Sequence, residues 1–173
     1  MKKIRNVVVG GVVAVLAALT SGSVAQAQVS QRIPHVVKAW ADAWNTGDAA
    51  KMASLFTDDG TYQDNAFQVA MSGQKGVANW VEITERSIRN AHVDVQDAFR
   101  SGDRIAVRWT FSGTDTGAFD KTRPATGKSF RVPVSTLIDL RGERIRQLTD
   151  YYNLADVLRQ VGLPAGPWTP PGS

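Results

Sequence analysis

The sequence predicts an α+β domain: a cone-shaped, curved antiparallel sheet with three N-terminal helices packed in its concave side and a short C-terminal helix. Two observations carry this expectation. Apolar residues recur at spacings of three and four up to about residue 90, and at alternate positions after Asn90. The elements also come in a segregated order, helices around one short strand, then a run of strands, then one helix. A sheet curved around helices leaves a conical cavity lined by both.

Residues 1–27 are set apart from that domain. Lys2, Lys3 and Arg5 precede an apolar run from Val7 to Leu19, and small and polar residues lead to Ala25-Gln26-Ala27. A basic start, a short apolar middle and an A-x-A end have the form of a secretory signal peptide. The run counts 13 residues, short of the roughly 20 that span a bilayer. Cleavage after Ala27 is expected, giving an exported protein, periplasmic or secreted, with no stable membrane insertion afterwards. The formal net charge of +4 includes the three cations of this segment, so the mature chain is nearly neutral. It lacks the broad basic field that nucleic acid requires. With no cysteine in the chain, a disulfide framework, a thiol nucleophile and a thiol-linked lipid are excluded.

Residues 28–163 form the predicted domain. Ile33, Val36, Val37, Trp40 and Trp44 share one helical face. Gly47 suits the stop, and Asp48 suits the N-cap of a second short helix carrying Met52, Leu55 and Phe56. The turn TDDG precedes a strand, TYQD. A third helix carries Val77, Trp80, Val81, Thr84 and Ile88. HVDVQDAF, RIAVRWTF, SFRVPVSTLIDL and RIRQLTDYY then read as four strands, joined by tight turns at RSGD and LRGE and by a long polar loop from 112 to 127. Asn153 can cap the last helix, Leu154, Val157, Leu158 and Val161 give it an apolar stripe, and Gly162 can end it. Residues 164–173, rich in Pro and Gly, form a tail.

The segments AWADAWNTGDAAKMASLFTDDGTYQD, RWTFSGT, PATGK and DYYNLADVLRQVGL resemble the SnoaL-like polyketide cyclases of the nuclear transport factor 2-like superfamily, over about residues 32–163. That family uses a single acid/base aspartate to move a proton at a carbon beside a carbonyl, with no metal or cofactor. The resemblance implies that Asp150 fills this role. Local motifs are similar to those of limonene epoxide hydrolase, at Tyr62-Gln63-Asp64, Arg108-Trp109-Thr110 and Asp150-Tyr151-Tyr152. By that resemblance Asp150 holds the water-activating position. Thr110 holds the position of the proton donor, and a hydroxyl is too weak an acid for it, which argues against epoxide hydrolysis.

The residues themselves suggest a cavity. Side chains alternate along a strand, and Arg108 and Thr110 are expected on the concave face, where Arg108 would orient Asp150 and lower its pKa against burial. Such an Asp–Arg pair can equally serve as a tie between strands. Tyr62 and Tyr152 can donate to a developing enolate oxygen or pack as core aromatics with satisfied hydroxyls. Asp64 is a pocket acceptor or a turn residue. Trp40, Trp44 and Trp80 are core, cavity lining, or both. Ile105, Val107, Trp109 and Phe111 then fall on the outer face, where four apolar residues suggest a homodimer interface. His35 and His92 are isolated and make no metal site.

The sequence therefore predicts catalytic Asp150, Arg108 and Tyr62, with Asp64, Trp40, Trp44, Trp80, Thr110 and Tyr152 binding a small apolar carbonyl compound. The alternative is a non-catalytic domain that holds an apolar ligand in the same cavity.

Overall fold

The computed structural model describes residues 32–117, 119–120 and 122–165. The expected signal peptide and residues 166–173 of the expected tail lie outside them. Among the described residues no helix is long and apolar enough to cross a membrane.

The chain runs α1 (His35–Asn45), α2 (Ala49–Ser54), β1 (Phe56–Asp64), β2 (Val69–Ser72), α3 (Gly73–Ser87), β3 (Ile88–Ser101), β4 (Arg104–Asp115), β5 (Ser129–Arg141), β6 (Arg144–Tyr152) and α4 (Leu154–Val161). The α1 stripe Val36, Val37, Trp40, Trp44 is buried as its spacing predicts. Gly47 takes φ +63°, a left-handed conformation that costs a glycine little. Asp48 then caps α2 by accepting a hydrogen bond from the Lys51 N–H at 2.8 Å. Asn153 caps α4 by accepting from the Asp156 N–H, and Gly162 ends it at φ +76°.

Six strands form one curved sheet in the order β2-β1-β6-β5-β4-β3. Every pairing is antiparallel except β1 with β6, which is parallel. Two features differ from the sequence reading. Phe56 belongs to β1, with an irregular register between Phe56 and Thr61, so TDDG lies inside a bent strand. The short β2, half of it exposed, has too little alternation to stand out from a turn.

The largest correction concerns β4. Ile105, Val107, Trp109 and Phe111 are buried, and Arg104, Ala106 and Arg108 are exposed. Trp40 of α1 meets Trp109 edge-on at 5.1 Å. The four apolar residues therefore face the protein's own helices and cannot be a dimer interface. Burying them against α1 outweighs any gain from turning Arg108 inward, and period-two alternation then sends Arg108 outward. The exposed large apolar residues are Phe99, Leu137 and Tyr151, on β3, β5 and β6.

Candidate active site

Asp64, Asp150, Thr136 and Val107 are successive cross-strand partners on β1, β6, β5 and β4. All four are buried, so one row of the sheet carries two carboxylates and a hydroxyl under the helices. The Tyr62 hydroxyl donates to Asp150 Oδ2 at 2.6 Å, and the Thr136 hydroxyl donates to Asp150 Oδ1 at 2.5 Å. Thr136 Oγ1 in turn accepts from the Trp109 indole N–H at 2.7 Å. Asp64 accepts from the Phe67 backbone N–H at 2.9 Å and from the Tyr152 hydroxyl at 3.0 Å.

These contacts form two side-by-side diagonals. Tyr62 and Asp64 stand two residues apart on β1, as Asp150 and Tyr152 do on β6, so all four project to one face. Each phenol donates to the carboxylate of the other strand. The parallel register, with Asp64 opposite Asp150, is what lets both diagonals form.

Burial dominates the electrostatics. It pushes the Asp150 carboxyl up to about 7, against the hydrogen bonds from Thr136 and Tyr62 and with a further rise from the Asp64 charge. Burial also raises Asp64, partly offset by the Phe67 N–H and the Tyr152 hydroxyl. Both phenols are raised, Tyr62 by burial and the Asp150 charge, Tyr152 by burial and the Asp64 charge. Tyr62 and Tyr152 are thus protonated donors throughout the neutral range.

The two acids open onto a cavity whose aromatic wall includes Trp44, Phe67, Trp80, Trp109 and Phe111. No Lys, Arg or His lines it. Its free volume is about 30 Å³. Half-buried Phe67, Trp80 and Tyr152 form the outer part, and Phe119 stacks on Phe67 at 5.8 Å. Asn45 fixes the inner part by pairing with both backbone groups of Val93, which holds the end of α1 and Trp44 against β3. The Trp44 indole stands edge-on to Tyr62; its buried N–H makes no hydrogen bond of normal geometry, yet it acts on the Tyr62 hydroxyl and lowers that phenol's pKa against the rise from burial.

Of the residues expected at the site, Asp150, Tyr62, Asp64, Trp44, Trp80 and Tyr152 line this cavity. Arg108 and Thr110 do not. Arg108 is exposed and pairs with Asp97, while Thr110 accepts from Gln96 on the outer face. The inward Asp150–Arg108 pair is therefore corrected, and with it the correspondence to the Arg-x-Asp motif of the epoxide hydrolase. Trp40 is fully buried behind Trp109 and does not line the cavity. Sequence reasoning missed Thr136, although a signal was present. In SFRVPVSTLIDL, Thr136 occupies the inward phase of Phe130, Val132, Val134 and Ile138, a polar residue where only apolar ones were needed. Phe67 and Phe119 lie in loops without periodicity and carried no such signal.

The chain matches the family model described as SnoaL-like polyketide cyclase over residues 34–161. No curated protein matches it. Among solved structures it is similar to a hypothetical protein with a ketosteroid isomerase-like fold from Catenulispora acidiphila, in complex with trimethylamine. The two are 38% identical, with 80% of this chain and 100% of that chain covered, at a TM-score of 0.71. A candidate polyketide cyclase from Pseudomonas putida is 24% identical, with 72% of this chain and 94% of that one covered, at TM-score 0.64. Another from Streptomyces antibioticus is 20% identical, with 74% and 96% covered, at TM-score 0.64. The last two likenesses speak for the fold alone.

Proposed function

Because the chain belongs to the SnoaL-like polyketide cyclase family, we propose that it catalyses a cofactor-free, cyclase- or isomerase-type proton transfer with Asp150 as the acid/base group. The substrate is a small, mostly apolar carbonyl compound. The observation that carries this reading is Asp150 itself, a buried carboxyl facing an aromatic cavity. Held near pKa 7, it can give or take a proton at neutral pH. As Asp150 takes up a proton it releases the Tyr62 hydroxyl, which can then turn to donate to the carbonyl oxygen, whose charge grows as the neighbouring C–H bond breaks. The small free volume favours a compact substrate over a polycyclic one.

A second reading is supported by the trimethylamine held by the Catenulispora protein. Aromatic faces and two carboxylates suit a small alkylammonium ion, so this chain would be a binding domain for such a cation. Deuterium exchange at the α-carbon of cyclopentanone and acetophenone in D₂O separates the two. The enzyme reading predicts catalysed exchange by the wild type and a loss of about 10²- to 10⁴-fold in folded Asp150→Asn. The binding reading predicts no catalysed exchange, with trimethylammonium bound and weakened by the same substitution.

Two further expectations belong to this reading. Export rests on the signal-peptide pattern of residues 1–27. The homodimer is proposed through the outer sheet face, where Phe99, Ala106 and Leu137 are aligned across β3, β4 and β5 with Tyr151 beside them. Ion pairs of both signs, Arg108–Asp97 and Arg104–Asp139, border that patch and can face their own copies across a two-fold axis.

A further inference from the structure

The cavity holds two carboxylates, Asp150 and Asp64. Asp64 is the direct cross-strand partner of Asp150, is 5% exposed and lines the same cavity. The titratable groups facing the pair are Tyr62 and Asp64 from β1 and Asp150 and Tyr152 from β6. The helices, β3 and β4 contribute only aromatic, aliphatic and hydroxyl side chains to the lining. Two neighbouring carboxylates with no cation between them favour a state that holds one proton and one charge.

The donors decide which carboxyl keeps the proton. Asp64 receives a backbone N–H from Phe67, a donor that cannot turn round, and it lies beside the half-buried Phe67 and Tyr152. Asp150 lies deeper and meets only the hydroxyls of Tyr62 and Thr136, each of which can also accept. Asp64 is the better seat for the charge and Asp150 for the proton.

We propose that Asp64 is a second catalytic residue, the base that removes a proton from the carbon beside the carbonyl while protonated Asp150 donates its proton to the carbonyl oxygen. This rests on Asp150 acting as acid/base. The C–H electrons form the enol double bond as the carbonyl π electrons take the Asp150 proton. Collapse of the enol returns that proton to Asp150, and a carbon of the enol system accepts the proton held by Asp64. Protons and charge are restored, and no co-reactant is consumed. Tyr152 is a positioning residue that keeps Asp64 ionised, and Tyr62 holds the Asp150 carboxyl in place on the oxygen side.

The test is α-proton exchange of cyclopentanone and acetophenone against pH, with wild type, Asp64→Asn, Asp150→Asn and Tyr152→Phe, each checked for folding by thermal melting. A bell-shaped wild-type profile is expected, with its alkaline limb near pH 7, where Asp150 loses its proton. Asp64→Asn and Asp150→Asn should each lose about 10²-fold or more. Tyr152→Phe should move the acid limb upward, because its hydrogen bond lowers the Asp64 pKa. Exchange within a few fold of wild type in folded Asp64→Asn, alongside loss in Asp150→Asn, overturns the proposal and leaves Asp150 as a lone acid/base. Loss in Asp64→Asn alone, or no catalysed exchange by the wild type, overturns both readings. A wild-type rate that only rises with pH through 7 also overturns this assignment.

Discussion

The Tyr62 hydroxyl donates to Asp150 across the boundary between β1 and β6, the one parallel pairing in the sheet. A phenol in the first half of the chain and a carboxylate near its end are joined there by topology. The helices then seal the pair from water, and burial does the rest, raising the acid into the neutral range. Fold and chemistry meet in that contact.

Thr136→Val keeps the shape of the side chain but removes its hydroxyl. The Trp109 indole N–H then loses its acceptor and Asp150 loses a donor. The variant is expected to lose about 1–3 kcal/mol of stability, the usual cost of stranding a buried polar group, read by chemical denaturation. The Asp150 pKa should also rise, because that hydrogen bond lowers it.

Arg108→Ala should do neither. Its partner is Asp97 on the outer face, and the Arg108 side chain is 68% exposed. An exposed ion pair contributes about 0–1 kcal/mol, so melting temperature and α-proton exchange should both stay close to wild type. A large loss of exchange would return Arg108 to the site.

The contrast between these two residues explains what the sequence could and could not reveal. Helix faces, caps and strand alternation are local, and they located α1, α3, the four long strands and α4. Asp150, Tyr62 and Asp64 were legible because polar groups stood where strands enter a core. The inward or outward phase of β4 was equally readable, since Ile105, Val107, Trp109 and Phe111 alternate cleanly. An inward Arg108 would put those four apolar residues outside, and exposing them costs more than one ion pair with Asp150 returns. The parallel β1–β6 pairing, which sets Asp64 beside Asp150, is a long-range choice that no local pattern encodes. The contribution of Phe67 and Phe119 also needed the folded chain, because loops show no period.

Leu137→Asp places a charge in the centre of the exposed apolar row on the outer face, where Leu137 is 53% exposed. Sedimentation should show a wild-type dimer at micromolar concentration and a folded monomer for the variant. A wild-type monomer would remove the interface.

Stability should depend on pH with the opposite sign to that of a salt-bridged aspartate. The Asp150 pKa is raised from 3.8 to about 7 in the folded protein, so the folded state binds more protons than the unfolded state between those values. Its contribution is fully present below about pH 4 and is lost as pH rises through 7, on the order of 4 kcal/mol across the window. Asp64, also raised, acts in the same direction. Denaturation curves at pH 5 and pH 8 should show wild type weakening with pH, and Asp150→Asn weakening much less.

The most direct measurement is the titration of the Asp150 carboxyl carbon by NMR in protein labelled with ¹³C at aspartate, assigned by its disappearance in Asp150→Asn. A midpoint near pH 7 is expected, falling in Asp64→Asn as the neighbouring charge is removed. A midpoint in the ordinary carboxylate range, close to 3.8 and indifferent to Asp64→Asn, would contradict it.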